Sequence, residues 1–400
     1  MIDAQAVVLA LCLFLVTGYG FGFVAEKVGL PKVSAYLLAG VLFSDALLGR
    51  FLELNRQAWS DPFSSIALTF IAYIVGSEIN LPKLRRHGKV VGLGMLGEAL
   101  TSFAVVYAAF WLLGLVLDLP AQLGLALAAV SATTAPAATM GVIEEYRAQG
   151  KLTTTVLGIV ALDDAFGVLL FSLVASLFFA TGGENGGALL FVRDIGLALL
   201  VGAAAGLVLN RVARYTDTAD FFFPFLAGII FAVFYLSEWL QFSNLLACIV
   251  VGIVANNFHR EEKHVSLLLP VQHVEDFIFI LFFTLAGAHF SPEYFGTGLI
   301  YIALYFVARG LGKYLGAWAG TSLAGADRNV ARHAGLMLLP QAGVAIGLVL
   351  HSGVGDEQLR SLLTNIILAT TILYEFLGPL AAKFALQRAG EIRGGRSTEA

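Results

Sequence analysis

Charged residues are scarce in this chain: Asp, Glu, Lys and Arg make up 13% of its 400 residues, against about 25% in an average soluble domain. Hydrophobic residues make up 58%. The formal net charge is only −4, which gives no reason to expect a nucleic-acid partner. The composition therefore excludes an ordinary soluble protein and predicts an all-α polytopic membrane protein.

Cysteine is almost absent as well. Cys12 and Cys248 both lie in apolar runs, so we interpret them as buried thiols, and no metal-ligand spacing is present. The first twenty residues lack the basic start and the cleavage site of a signal peptide, so we expect a retained helix. Glycine, in contrast, is abundant at 43 residues, which is typical of membrane helices that pack closely.

Hydropathy predicts about thirteen transmembrane helices, each long enough, or nearly so, for a hydrocarbon core about 30 Å thick. They cover residues 4–26, 32–48, 62–81, 89–117, 120–147, 152–180, 188–213, 219–239, 243–257, 265–288, 294–323, 331–352 and 358–386. Most of the 24 Lys and Arg residues fall in alternate short loops and in the C-terminal tail. The positive-inside rule therefore predicts an N-terminus outside the cell and a cytoplasmic C-terminus.

Two of these helices contain helix-breaking residues in their middles. The fifth contains Ser131-Ala-Thr-Thr-Ala-Pro-Ala-Ala-Thr139, and the twelfth contains Leu339-Pro-Gln-Ala-Gly343. The two breaks are seven helices apart. They lie in two triplets of helices, four to six and eleven to thirteen, which start on opposite sides of the membrane. This pattern predicts inverted repeats with two crossing broken helices, and such breaks indicate the binding site of a transporter.

Six charged residues lie deep inside the predicted spans: Glu98, Asp163, Asp164, Arg309, Lys313 and Glu375. Four carboxylates and two cations leave a formal charge of −2, which a low-dielectric core does not keep. Protons or a metal cation must supply the difference. We therefore predict a site at which a cation and protons compete.

Helix geometry divides these groups among different partners. Adjacent helical residues point about 100° apart, so Asp163 and Asp164 serve different roles. Arg309 and Lys313 are four residues apart and share a face. We expect Glu98 to form a buried structural ion pair with Arg309, and one of the two aspartates to pair with Lys313.

Uncharged groups near the breaks supply further candidate ligands. The hydroxyl oxygens of Thr133, Thr134 and Thr139, together with unwound backbone carbonyls, suit a small hard cation. Gln341 is either an amide ligand or a cap on a half-helix. Glu375 is either a structural carboxylate or an accessory proton site.

Four segments of the chain resemble the monovalent cation:proton antiporter-2 family, within the superfamily of bacterial sodium/proton antiporters. They are Thr133-Thr-Ala-Pro-Ala-Ala-Thr139, Leu157-Gly-Ile-Val-Ala-Leu-Asp-Asp164, Leu311-Gly-Lys-Tyr-Leu-Gly316 and Leu339-Pro-Gln-Ala-Gly-Val-Ala-Ile-Gly347. The resemblance covers about residues 5–386. It implies secondary active exchange of Na⁺ for protons, with no cofactor and with the sodium/proton antiporter fold.

The resemblance also implies an organisation. It implies a homodimer in a bacterial-type inner membrane, with membrane lipid as the other partner. Scaffold and dimerisation helices would occupy 1–81 and 214–290, core helices 82–187 and 291–388, a linker helix 188–213 and a short cytoplasmic tail 389–400. The core would move like an elevator against the scaffold.

For the site, the resemblance implies that Asp164 binds the transported Na⁺ and a proton in alternation. It implies that Asp163 pairs with Lys313 and that exchange is electrogenic. The second break and the expected pair of Glu98 with Arg309 depart from the family pattern. They leave the ion identity and the stoichiometry open.

Other functions fit less well. A K⁺/H⁺ antiporter and a sodium-coupled solute symporter have similar architectures and remain alternatives, whereas a channel does not need competition at a buried site. An intramembrane aspartyl protease carries Gly-x-Gly-Asp inside a helix, but Gly353-Val-Gly-Asp356 falls in a predicted outward loop. We therefore expect a transporter and no enzyme.

Overall fold

The computed structural model describes residues 4–28, 32–44, 47–49, 60–79, 88–117, 119–178, 187–213, 215, 219–257, 269–290, 295–341, 343–350 and 357–392. Within those ranges the chain forms fifteen α-helices and no β-strand. The helices are α1 (Ala4–Val28), α2 (Lys32–Val41), α3 (Ser60–Glu78), α4 (Gly88–Leu117), α5 (Ala121–Val130), α6 (Pro136–Glu145), α7 (Lys151–Phe178), α8 (Gly187–Ala213), α9 (Ala219–Leu240), α10 (Asn244–Asn257), α11 (Leu269–Ala288), α12 (Phe295–Leu323), α13 (Arg328–Met337), α14 (Gly343–Leu350) and α15 (Glu357–Ala389).

These helices confirm the predicted all-α architecture. Each of the thirteen predicted spans contains one helix, except that the fifth and twelfth each contain two, and those two spans are the ones with predicted breaks. Within the described ranges, six helices are long and apolar enough to cross a membrane, in α1, α4, α7, α8, α9 and α15. Shorter apolar helices account for several of the other predicted spans. The chain is an integral membrane protein.

Two predictions about single residues have different outcomes. Cys248 is buried, as expected, but Cys12 is exposed, so its interpretation as a buried thiol is wrong. Cys12 lies on α1 among exposed apolar side chains such as Leu9 and Val16, and a thiol is apolar enough to face lipid. Asp356 of the Gly-x-Gly-Asp segment lies outside the described residues, as do residues 393–400 of the predicted tail.

The chain divides into two compact units. The first comprises Met1–Leu81, Val168–Phe295 and Ile346–Leu368, and the second comprises Pro82–Gly167, Gly296–Ala345 and Ala369–Ala400. In the first unit, α3 and α10 touch through their backbones: a Cβ on Gly76 would lie 2.0 Å from the carbonyl oxygen of Ile249. Asn256 Nδ2 donates to the carbonyl of Ser77 at 2.6 Å, near the end of α3.

The second unit holds a similar glycine contact between α4 and α12. A Cβ on Gly316 would lie 2.3 Å from the carbonyl oxygen of Gly97, and a Cβ on Gly320 would lie 2.0 Å from that of Leu93. Only glycine permits this approach, because any side chain would strike backbone. The contact fixes the register of α4 against α12.

The C-terminal end of the second unit caps helix α7. Glu391 Oε1 accepts from the backbone N–H of Leu152 at 2.7 Å, and Oε2 accepts from the N–H and hydroxyl of Thr153 at 2.8 and 2.7 Å. The carboxylate thereby satisfies two of the unpaired amides at the start of the helix. Nearby, Lys151 forms an exposed ion pair of 2.7 Å with Asp327.

Candidate functional site

The two helix breaks meet inside the second unit. Helix α5 ends at Val130 and α6 begins at Pro136, while α13 ends at Met337 and α14 begins at Gly343. The backbone N–H of Ala135 donates to the carbonyl of Pro340 at 3.0 Å, so the two broken helices are hydrogen-bonded to each other at their breaks. The Thr139 hydroxyl adds a second link, donating to the carbonyl of Met337 at 2.8 Å.

Arg309 on α12 holds both breaks. Its guanidinium donates to the carbonyl of Thr133 at 2.6 Å and to those of Leu339 and Pro340 at 2.7 and 3.3 Å. The side chain is fully buried, and its guanidinium carbon lies 4.5 Å from the ring centroid of Tyr374. Arg309 thus satisfies carbonyls that the broken helices leave unpaired.

Lys313, one turn further along α12, lies among four oxygen atoms. Its Nζ is 2.6 Å from Glu98 Oε2, 2.8 Å from the carbonyl oxygen of Ala132 and 2.7 Å from Thr134 Oγ1. Asp163 Oδ2 is a fourth oxygen at 3.5 Å. An ammonium has three N–H donors, and the first three oxygens account for all of them.

The expected pair of Glu98 with Arg309 is therefore wrong. Glu98 contacts Lys313, and Arg309 is neutralised by backbone carbonyls. The physical reason is register: Gly316 seats against Gly97, so the residue after Gly97 faces the turn of α12 that carries Lys313. The expectation that an aspartate pairs with Lys313 agrees with the geometry, because Asp163 lies within ion-pair distance.

The aspartate pair lies in α7 beside the first break. Asp163 Oδ2 accepts from the Thr134 hydroxyl at 2.5 Å. Asp164, the next residue, is 2% exposed. A Cβ on Gly167 would lie 2.5 Å from the Thr133 methyl group, so a glycine one turn beyond the aspartates allows α7 to approach the break.

The other predicted site residues lie in the same unit but have other contacts. The Thr133 hydroxyl donates to the carbonyl of Val130 at 3.0 Å. Gln341 Nε2 donates to the Tyr305 hydroxyl at 2.9 Å, while its Oε1 has no hydrogen-bond partner among the described residues. Glu375 is buried, and no group in the described part of the chain forms a hydrogen bond with its Oε1.

Sequence analysis missed two residues at the crossing. Tyr305 precedes Arg309 by four residues, so the shared helical face was a usable signal. The Tyr374 hydroxyl donates to the carbonyl of Phe306, and its ring packs on Arg309. No sequence pattern marks Tyr374 for that position.

The charge balance of the site follows from these contacts. The second unit holds four carboxyl groups and two cations, and all six are at most 2% exposed: Glu98, Asp163, Asp164, Glu375, Arg309 and Lys313. Ionised carboxylates in such surroundings must be paired or neutralised. The arrangement can therefore hold a small cation or protons. Among the residues that the structure describes, no three His, Cys, Asp or Glu side chains form a metal-binding cluster.

Comparison with known proteins gives matches over most of the chain. The model of the sodium/hydrogen exchanger transmembrane family matches residues 10–383. The Na⁺/H⁺ antiporter NhaH of Halobacillus aidingensis is 24% identical over 74% of this chain and 76% of its own length. A Na⁺/H⁺ antiporter of Enterococcus hirae is 23% identical over 94% and 96% of the two chains.

The fold has a solved counterpart. The sodium proton antiporter MjNhaP1 from Methanocaldococcus jannaschii, with its structure determined at pH 8, superposes with a TM-score of 0.73. The match covers 98% of this chain and 99% of that one, at 19% identity. It confirms the predicted antiporter fold, and with the family match it leads to one conclusion: the chain belongs to the sodium/hydrogen exchanger family.

Proposed function

We propose that this protein is a secondary active antiporter that exchanges Na⁺ for protons by alternating access. The single observation that carries the proposal is the buried pair Asp163 and Asp164 beside the crossing of two broken helices. A buried carboxylate is stable when it binds a proton or a cation, and it cannot hold both at one position. Competition at one site converts a proton gradient into cation movement.

The residues divide into two groups in this mechanism. Asp164 binds the transported Na⁺ after losing its proton, and it takes up the proton again when the cation leaves. Asp163 keeps its hydrogen bond with Thr134 and its ion pair with Lys313, and it determines the charge next to the bound cation. Arg309 has a structural role, since its guanidinium holds the two breaks through their carbonyls.

We also propose how the site reaches each side of the membrane. All six buried charged groups belong to the second unit, so that unit would carry the cation in an elevator-like movement. The first unit would supply the scaffold and the contacts of a homodimer in a bacterial-type inner membrane. Chemical crosslinking of the purified protein tests the dimer. An impermeant thiol reagent tests whether a cysteine added after Ala400 is cytoplasmic, once Cys12 and Cys248 are replaced.

The direct test is exchange in proteoliposomes. The protein is reconstituted with an internal pH dye, a pH gradient is imposed, and Na⁺, Li⁺ or K⁺ is added outside. Na⁺ should dissipate the gradient. Wherever one proton competes with one cation, the apparent affinity for Na⁺ should fall about tenfold for each unit by which the pH is lowered. A response to K⁺ alone would identify a K⁺/H⁺ antiporter.

Two variants sharpen this test. Asp164→Asn should abolish exchange, because the amide takes up no proton in the working pH range and has no negative charge to balance the cation. Asp327→Asn is the matched control: Asp327 is exposed and pairs only with exposed Lys151 among its described contacts, so exchange should persist. Exchange retained by Asp164→Asn would refute the assignment of the cation to that residue.

A further inference from the structure

The oxygen atoms around Lys313 form a cage with the geometry of a cation site. Glu98 Oε2, the Ala132 carbonyl oxygen and Thr134 Oγ1 lie 2.6–2.8 Å from Nζ, and Asp163 Oδ2 lies at 3.5 Å. They come from three separate elements: α4, the first break and α7. Their convergence therefore depends on the fold of the second unit and not on the lysine alone.

The cage also has oxygen atoms to spare. Glu98 Oε1 and Asp163 Oδ1 are buried, and no N–H or hydroxyl group of the described residues donates a hydrogen bond to either atom. The lysine cannot serve them, because its three N–H groups are already used. Glu98 and Asp163 are both fully buried and share a single positive charge, so the cage has more acceptor atoms than one ammonium uses.

We propose that this cage is a monovalent-cation site in its own right, in which the Lys313 ammonium is a tethered occupant. It accepts ammonium, a primary alkylammonium or a small alkali cation once the lysine amine is removed. The site goes beyond the proposed function, because it is distinct from the cation position at Asp164. It rests on that function only for the part played by Asp163.

The anchor of the cage is Glu98, which makes the shortest contact with the ammonium. It lies on α4 and is held opposite Lys313 by the contact of Gly97 with Gly316. Asp163 Oδ2 lies farther from Nζ than Glu98 Oε2 does, and it already accepts a hydrogen bond from the Thr134 hydroxyl. Loss of Glu98 should therefore weaken a cation in the cage more than loss of Asp164, which makes none of the four contacts.

The test is chemical rescue of Lys313→Ala. The full-length variant is purified, and its thermal unfolding midpoint is measured with increasing ammonium, methylammonium, K⁺ or Na⁺. Tetramethylammonium, which has no N–H donor, keeps the ionic strength constant. We expect a saturable rise in the midpoint with ammonium and methylammonium. The wild-type protein should show no such rise, because its cage is occupied.

Two double variants locate the rescue. Glu98→Gln added to Lys313→Ala should raise the apparent dissociation constant of methylammonium about tenfold or more, because a charge-assisted hydrogen bond is lost. Asp164→Asn added to Lys313→Ala should leave that constant unchanged. An unchanged constant would show that the cage does not depend on the transport site. The cage can therefore be refuted without refuting cation exchange at Asp164, and the reverse also holds.

Several outcomes would overturn the proposal. They are a midpoint of Lys313→Ala that responds to neither ammonium nor methylammonium, a rescue unaffected by Glu98→Gln, a rescue abolished by Asp164→Asn, and stabilisation by acid alone, which would mean that a proton replaces the amine. If Lys313→Ala does not accumulate, Lys313→Met keeps most of the aliphatic stem and is tested with ammonium. Absence of a saturable rise there also refutes the cage.

Discussion

Replacing Arg309 with alanine should destabilise the second unit by about 2–6 kcal/mol. The guanidinium donates to the buried carbonyls of Thr133 and Pro340 and to the partly buried carbonyl of Leu339, and the Pro340 carbonyl also accepts from Ala135. The substitution therefore leaves two carbonyls, those of Thr133 and Leu339, without the donor they have now. Each buried acceptor that loses its partner costs about 1–3 kcal/mol, and the sum is a large fraction of a typical folding free energy of roughly 5–15 kcal/mol.

The assay is unfolding of the detergent-solubilised protein, followed by a thiol-reactive dye or by intrinsic fluorescence. Arg309→Lys is the matched variant. It keeps the positive charge but not the planar, forked set of donors, so it should fall between wild type and Arg309→Ala. Exchange should decline in parallel with stability. An Arg309→Ala protein that unfolds at the wild-type midpoint yet exchanges no cation would refute a structural role and would make Arg309 part of transport.

Two further substitutions test the supports of the site. Glu391→Gln should lower stability by about 0.5–2 kcal/mol, because it removes the charged cap of α7. The control is Lys151→Ala, which breaks only an exposed ion pair and should cost about 1 kcal/mol or less. Equal losses of stability in the two variants would argue against the cap. Gly316→Ala should lower both the unfolding midpoint and exchange, since its Cβ would lie 2.3 Å from a carbonyl oxygen of α4. Gly92→Ala, on α4 with open space around it, should be neutral or slightly stabilising; a Gly316→Ala protein that behaves like Gly92→Ala would show that the two helices do not depend on backbone contact.

The helices and their breaks were predictable because they follow from local rules. Apolar runs of membrane length set the spans, and helix breakers in the middles of the fifth and twelfth set the two breaks around Pro136 and Pro340. Those signals lie within a few residues of the structure they determine. The identity of the chemical groups at the site was predictable for the same reason, since a charge inside a membrane span is rare enough to stand out.

The pairing of those groups was not predictable. Arg309 and Lys313 share a helical face, but their depth relative to Glu98 depends on where α4 seats against α12, and that is set by a glycine contact between distant segments. The partners of Arg309 are backbone carbonyls, which carry no sequence signal. The capping role of Glu391 was equally hidden, because a carboxylate in a terminal segment gives no indication of the helix it reaches.

The position of Lys313 and Arg309 on α12 affects how the membrane helices are inserted during synthesis. The carboxylates of Glu98 and Asp163 are made with α4 and α7, while both cations that balance the site arrive only with α12, well over a hundred residues later. At a synthesis rate of ~5–20 residues per second, that delay is on the order of 10 s. During this interval the carboxyl groups of Glu98 and Asp163 are without Lys313, so they must stay protonated, remain near water or wait in the insertion machinery until α12 emerges.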